Sequence, residues 1–172
     1  MWQRFFCFIL DQFYPQECVS CAAPGGAICV ECEQSVSAHP QEQVIGKLRV
    51  ESSYAYDEPA LSAAIQAWKY EGMTDAIKPF IEKAWFLDLQ ADLVLAVPLH
   101  RRRKLERGFN QAELLAKHVA AQIGVIVGHD LKRIRYTPPQ AKQDGEERRK
   151  NVKDAFVWKG ESLAGKQVLL VD

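Results

Sequence analysis

An α/β fold with a mainly parallel sheet is what this 172-residue sequence predicts, and three observations carry the prediction. Leu93 to Val97 is an uninterrupted apolar run, as expected of a parallel strand covered on both faces, and Val168 to Val171 is a second apolar run. After the first run, Ala112, Leu115, Ala116, Val119, Ala120 and Ile123 recur at helical spacing and stop at Gly124. Strand and helical patterns then alternate along the rest of the chain, which is the signature of a sheet with crossover helices.

In chain order, Trp2 to Tyr14 comes first. Trp2, Phe5, Phe6, Ile9, Leu10 and Phe13 form a helical stripe, while Gln3, Arg4, Asp11 and Gln12 interrupt any continuous apolar run. The segment reads as an amphipathic helix rather than a signal peptide or a span, so a cytoplasmic protein without membrane insertion is expected. Cys18-Val19-Ser20-Cys21 and Cys29-Val30-Glu31-Cys32 follow, two Cys-x2-Cys pairs with seven residues between them, including Pro24-Gly25-Gly26 to reverse the chain. Four thiolates so spaced suit one tetrahedral, structural zinc ion, with Cys18, Cys21, Cys29 and Cys32 as its ligands. Two disulfides, buried thiols and a redox pair are the alternatives; a reducing compartment disfavours disulfides. Cys7 has no partner nearby in sequence.

Residues 41 to 47 read as a linker, which places an N-terminal segment at 1–45 and the main domain at 46–172. A strand is expected over Val50 to Tyr56. Leu61, Ala64, Ile65 and Trp68 then mark a helix ending at Gly72, and a second helix is expected around Lys78 to Phe86 with Pro79 in its first turn. Trp68 and Trp85 are core candidates. Between the strand at 93–97 and the helix from Asn110 lies a loop with five positive charges in the seven residues Arg101 to Arg107. Asn110 and Glu113 have capping-box spacing, so free N–H groups at a helix start stand beside those arginines. Val125 to Val127 is a short further strand, and Arg133 to Asn151 a long polar, mobile loop with a second set of basic residues.

Net charge is zero overall but unevenly placed: residues 1–100 hold 6 Lys and Arg against 13 Asp and Glu, and residues 101–172 hold 16 against 9. The basic part points to a phosphate-rich ligand, a nucleotide or a nucleic acid.

The paired Cys-x2-Cys, Pro98-Leu99-His100 running into Arg107-Gly108-Phe109-Asn110-Gln111-Ala112-Glu113-Leu114, and Arg135-x-Thr137-x-x-Gln140 form a recognisable set. Glu147-Arg148-x-x-Asn151-Val152-x-x-Ala155-Phe156 and Gly165-Lys166-x-Val168-Leu169-Leu170-Val171-Asp172 extend it. With these motifs the sequence resembles the ComF family of phosphoribosyltransferase-like proteins, which takes in the GntX proteins; Gln143 stands where that family usually has an apolar residue.

The resemblance implies a type I phosphoribosyltransferase fold with helices on both sheet faces, and phosphoribosyl pyrophosphate with Mg²⁺ as ligand. It assigns His100, Arg101, Arg102, Arg103, Arg107, Gly108 and Asn110 to the pyrophosphate side, and Arg135, Gln140 and Asn151 to the hood over it. Catalytic roles fall to Asp172, Arg133 and Arg148. Asp172 is the first of two acids that precede a Thr and Gly loop in the family, so the domain is expected to be C-terminally incomplete and these 172 residues alone to be inactive. Three functions follow from the resemblance. One is a phosphoribosyltransferase-fold protein of DNA uptake in competence, binding phosphoribosyl pyrophosphate or another phosphate. The second is an active phosphoribosyltransferase of nucleotide or nucleoside salvage, and the third a non-catalytic module for single-stranded DNA or an uptake helicase.

Overall fold

The computed structural model describes residues 16–84, 89–137 and 150–172. The N-terminal stripe, Cys7, Trp85, Gln140, Gln143 and Arg148 lie outside the described residues. The chain divides into two compact units, Met1–Asp88 and Leu89–Asp172.

In the first unit the cysteine segment runs into the short helix α1 (Val30–Ser35). An antiparallel hairpin follows, β1 (Gln41–Ile45) and β2 (Leu48–Ser52), with Ile45 opposite Leu48. Its loop is Gly46-Lys47, and Gly46 takes φ +63°, a left-handed conformation that glycine adopts without steric cost. The sequence reading had a linker here and a strand displaced to 50–56. Both are corrected: two apolar clusters two residues apart, Val44-Ile45 and Leu48 to Val50, pair across the turn and leave their side chains largely exposed.

Helix α2 (Pro59–Glu71) buries Ala60, Leu61, Ala64, Ala67 and Trp68 and ends at Gly72 with φ +73°, whose N–H donates to the Ala67 carbonyl. Helix α3 (Thr74–Lys83) starts four residues earlier than its proline suggested, with Pro79 in its interior. A proline there forfeits one backbone hydrogen bond, and burial of Ala76, Ile77 and Phe80 offsets the loss. The Tyr54 hydroxyl donates to the Phe80 carbonyl at 2.9 Å, and its ring meets Phe80 edge-on at 6.2 Å. Lys83 pairs with Glu33, joining α3 to α1.

The second unit holds a three-stranded parallel sheet in the order β4-β3-β7, built from β3 (Leu93–Ala96), β4 (Val127–Gly128) and β7 (Val168–Val171). Its register sets Leu93 beside Val168 and Ala96 beside Val171, so β3 and β7 end together. Between β3 and β4 come α4 (Arg101–Arg107) and α5 (Gln111–Ile123). Helix α5 packs Ala112, Ala116 and Ala120 on Val94, Ala96 and Val171, small residues that let helix and sheet approach closely. Leu170, on the alternate face of β7, is exposed. Between β4 and β7, β5 (Leu131–Arg133) pairs antiparallel with β6 (Phe156–Trp158). The two ends of the segment read as one long loop are therefore anchored by a two-stranded ladder.

Asn110 caps α5: its carboxamide oxygen accepts from the Ala112 N–H at 3.2 Å and its Nδ2 donates to the Val97 carbonyl at 3.1 Å. It is buried, and it fixes the helix start to the end of β3. Asn110→Ala is expected to lower stability by about 1–2 kcal/mol, read as the shift in urea midpoint, since the helix loses its cap and the half-buried Val97 carbonyl loses its partner.

Candidate functional site

Two places concentrate chemistry, one in each unit. In the first, the chain turns back on itself through short backbone bonds. The Cys18 N–H donates to the Ala23 carbonyl at 2.8 Å, the Ala22 N–H to the Cys18 carbonyl at 2.8 Å, and the Val19 N–H to the Ala27 carbonyl at 3.0 Å. Gly25 and Gly26 take φ +125° and +141° at the reversal. The second pair then enters a helix, with Cys29 at the N-cap of α1 and Cys32 in its first turn.

The ligand atoms of Cys18, Cys21, Cys29 and Cys32 lie within 4.8 Å of one another. Cys21 Sγ and Cys29 Sγ are 3.6 Å apart, while the edge of a tetrahedron with zinc–sulfur arms of about 2.3 Å is roughly 3.8 Å. All four cysteines are free thiols, so the disulfide alternative is not the arrangement found. Burial pushes the Cys18 thiol up, but N–H groups of Cys29, Cys21 and Ser20 outweigh it and bring the thiol below its usual range. For Cys29 the Cys32 N–H favours the thiolate, yet burial and hydrogen bonds with Cys21, Cys32 and Glu31 raise it on balance; Cys32 is raised as well. Four clustered sulfurs resist shared ionisation without a cation among them. Four thiolate donors, a closed shell and near-tetrahedral spacing fit a structural zinc ion, which these four residues could hold.

The second place is the carboxyl end of β3 and β7. The Val97 N–H donates to the Val171 carbonyl at 2.7 Å, so the chain leaves β3 beside the point where β7 gives way to Asp172. Parallel sheets bind ligands at this edge. The basic segment is not a loop, as the sequence reading had it, but the helix α4. Arginine, lysine, leucine and glutamate favour helix, and Arg102 and Glu106 bridge one turn at 3.1 Å. Its N-cap is His100, whose Nδ1 accepts from the Arg102 N–H at 3.3 Å; its C-cap is Gly108 at φ +79°. Glu113, expected to close a capping box, bonds Lys104 instead at 3.2 Å.

Arg103 and Arg133 are brought together at Thr137. Arg103 Nη2 donates to the Thr137 carbonyl at 3.1 Å, and Arg133 Nη2 donates to the Thr137 hydroxyl. The Arg133 guanidinium lies over the Phe156 ring at 5.2 Å, and its Nε is buried with no hydrogen-bond partner. Burial first and the neighbouring Arg103 second hold Arg133 below the usual arginine range, with Asp172 opposing them. Two guanidinium groups therefore share this corner, and the Asp172 carboxylate acts on Arg133 through its charge.

The remaining residues are placed differently. Arg102 stacks on Tyr136 at 5.1 Å and His100 meets the same ring edge-on at 5.4 Å. Arg107 donates to Gln111 Oε1 at 3.3 Å at the junction of α4 and α5. Arg101 is exposed on α4. Arg135 donates to the carbonyls of Lys150 and Asn151, at 3.2 and 2.7 Å, and so bridges the two ends of the segment beyond the β5–β6 ladder. Tyr136 was read from sequence as an aromatic that could stack on bases, whereas Thr137 was given no binding role. Its signal was its position, two residues beyond Arg135 and between two basic clusters.

No family model matches the sequence. Over 66 residues the chain is 33% identical to competence protein F of Haemophilus influenzae, a stretch that covers 38% of this chain and 29% of that protein. The chain is locally similar to a competence protein. The match spans less than a third of the length of that relative. Among the described residues no helix is long and apolar enough to cross a membrane.

Proposed function

We propose that this protein is a competence-related, ComF-like protein with a phosphoribosyltransferase-type sheet domain, binding phosphoribosyl pyrophosphate or a related phosphate at the carboxyl ends of β3 and β7. The observation that carries this reading is the meeting of Arg103 and Arg133 at Thr137, with α4 supplying further cations and Asp172 directly following β7. The local similarity to competence protein F supports the setting in DNA uptake. In this reading the arginines neutralise a pyrophosphate, with Arg148 as a further cation of the sequence, and Asp172 would hold Mg²⁺ and bind ribose hydroxyls. The protein sits in the cytoplasm, its zinc segment in the first unit and its phosphate site in the second, with single-stranded DNA or an uptake helicase as its partner.

Thermal unfolding tests the ligand class. Phosphoribosyl pyrophosphate with Mg²⁺, at about a hundredfold over its dissociation constant, should stabilise the fold by roughly 2.7 kcal/mol and raise the melting temperature by several degrees. Ribose 5-phosphate should give a smaller rise, since it lacks the pyrophosphate. Equal melting with and without each compound would remove phosphoribosyl pyrophosphate from the reading.

A further inference from the structure

Thr137 is a polar residue with only 3% of its surface exposed, and it uses both of its oxygens on cations. The carbonyl takes Arg103 from α4 at 3.1 Å, and the hydroxyl takes Arg133 from the end of β5. Residues contributed by a helix after β3 and by a strand after β4 are thus tied at a single backbone unit. Like charges do not stay side by side unaided, and a long arginine side chain loses rotamer freedom when it is held in one place. Something must hold them; here a threonine does.

We propose that Thr137 is the positioning residue of the phosphate site, its carbonyl and hydroxyl setting the guanidinium groups of Arg103 and Arg133 side by side for one polyphosphate anion. This rests on the phosphate-binding reading above. The ring of Phe156 supports Arg133 from one side, and the stacking of Arg102 and His100 on Tyr136 fixes the preceding residue, so the backbone at 136–137 is held to α4 at three points. With the hydroxyl bond made, the guanidinium of Arg133 has fewer orientations to lose when an anion arrives. The depressed affinity of Arg133 for its proton, caused by burial and by Arg103, expresses the same unmet demand for negative charge.

The test uses inorganic pyrophosphate and isothermal titration of the whole chain with Thr137→Val, Thr137→Ser, Arg103→Ala and Arg133→Ala. Valine keeps the shape and loses the hydroxyl; serine keeps the hydroxyl and loses the methyl group. A positioning role predicts that Thr137→Val binds pyrophosphate about tenfold more weakly, as loss of a bond to a charged group implies, while Thr137→Ser stays within about threefold of wild type. A packing role predicts the reverse order, with serine the worse. The proposal is overturned if Thr137→Val binds like wild type, or if serine is the more damaging change. If the two arginine variants lose binding while Thr137→Val keeps it, the phosphate site stands and the role of Thr137 falls. Wild-type chain that fails to take up pyrophosphate overturns both.

Discussion

Cys21→Ser is expected to abolish tight zinc binding and unfold the segment around residues 16–36, while the parallel sheet of the second unit keeps its melting transition. Purified without chelator, the wild-type chain should carry about one zinc ion, and structural sites of this kind have apparent binding energies of roughly 10–16 kcal/mol. The segment depends on such a contribution. The apolar groups buried within it are few, Cys18, Ala27, Cys29 and Val36, and its backbone is held by turns and one short helix rather than by a ladder. Hydroxyl oxygen in place of thiolate leaves three soft donors and an open position, so affinity should fall by several orders of magnitude. Metal binding should also weaken as pH falls. The thiols of Cys29 and Cys32 are raised in the metal-free cluster, so each must surrender its proton to the solvent when zinc binds. Metal analysis of wild type and variant, with amide exchange to locate the loosened residues, reads all three effects.

The second large effect is expected from removing charge on α4. Arg101, Arg102 and Arg103 replaced together by alanine should lower affinity for a single-stranded oligonucleotide by about 10² to 10³ at low salt. The slope of log K against log salt should flatten by about two, because each cation withdrawn from a strand phosphate removes roughly 0.7 from the slope. Arg101 and Arg102 are exposed, and their loss takes away charge without opening the core. Arg103 contributes by a different route, since it also bonds the Thr137 carbonyl; Arg103→Ala alone should therefore cost more than Arg101→Ala alone. Absence of oligonucleotide binding at low salt, or an unchanged slope in the triple variant, would assign the cations of α4 to the small phosphate ligand alone.

Several elements were legible because their signals are strong and local. An apolar run with no polar interruption, as in Leu93 to Val97, has few structural uses besides a covered strand. A helix that ends in glycine announces its stop, and Gly72 and Gly124 both occupy the left-handed conformation that ends α2 and α5. The parallel pairing of β3 with β7 was expected only in class; its register comes from contacts 75 residues apart that no local pattern carries.

The misses have equally definite causes. Charge density at 101–107 was read as an anion-binding loop and hid a helix-forming composition with an i,i+4 ion pair. The polarity of Gln41 to Gln43 hid a hairpin whose signal was the two-residue Gly46-Lys47 connection. Pro79 was assigned to a first turn because that is its favoured place, and the burial of Ile77 and Phe80 prevailed over the propensity. The corner at Arg103, Arg133 and Thr137 was half visible: each arginine stood in a basic cluster, but which of eight arginines beyond residue 100 would meet depends on how the β5–β6 ladder folds back toward α4.

The central claim, that cations of α4 and β5 form one polyphosphate site beside Asp172, is tested most directly by isothermal titration of phosphoribosyl pyrophosphate with Mg²⁺ into wild type and Arg133→Ala. The account predicts saturable, one-to-one binding by the wild type and a loss of about tenfold to a hundredfold in the variant, as removal of a charge-assisted pair implies. Wild-type binding that survives unchanged in Arg133→Ala would place the ligand elsewhere, and no heat of binding in the wild type at millimolar ligand would contradict the site itself.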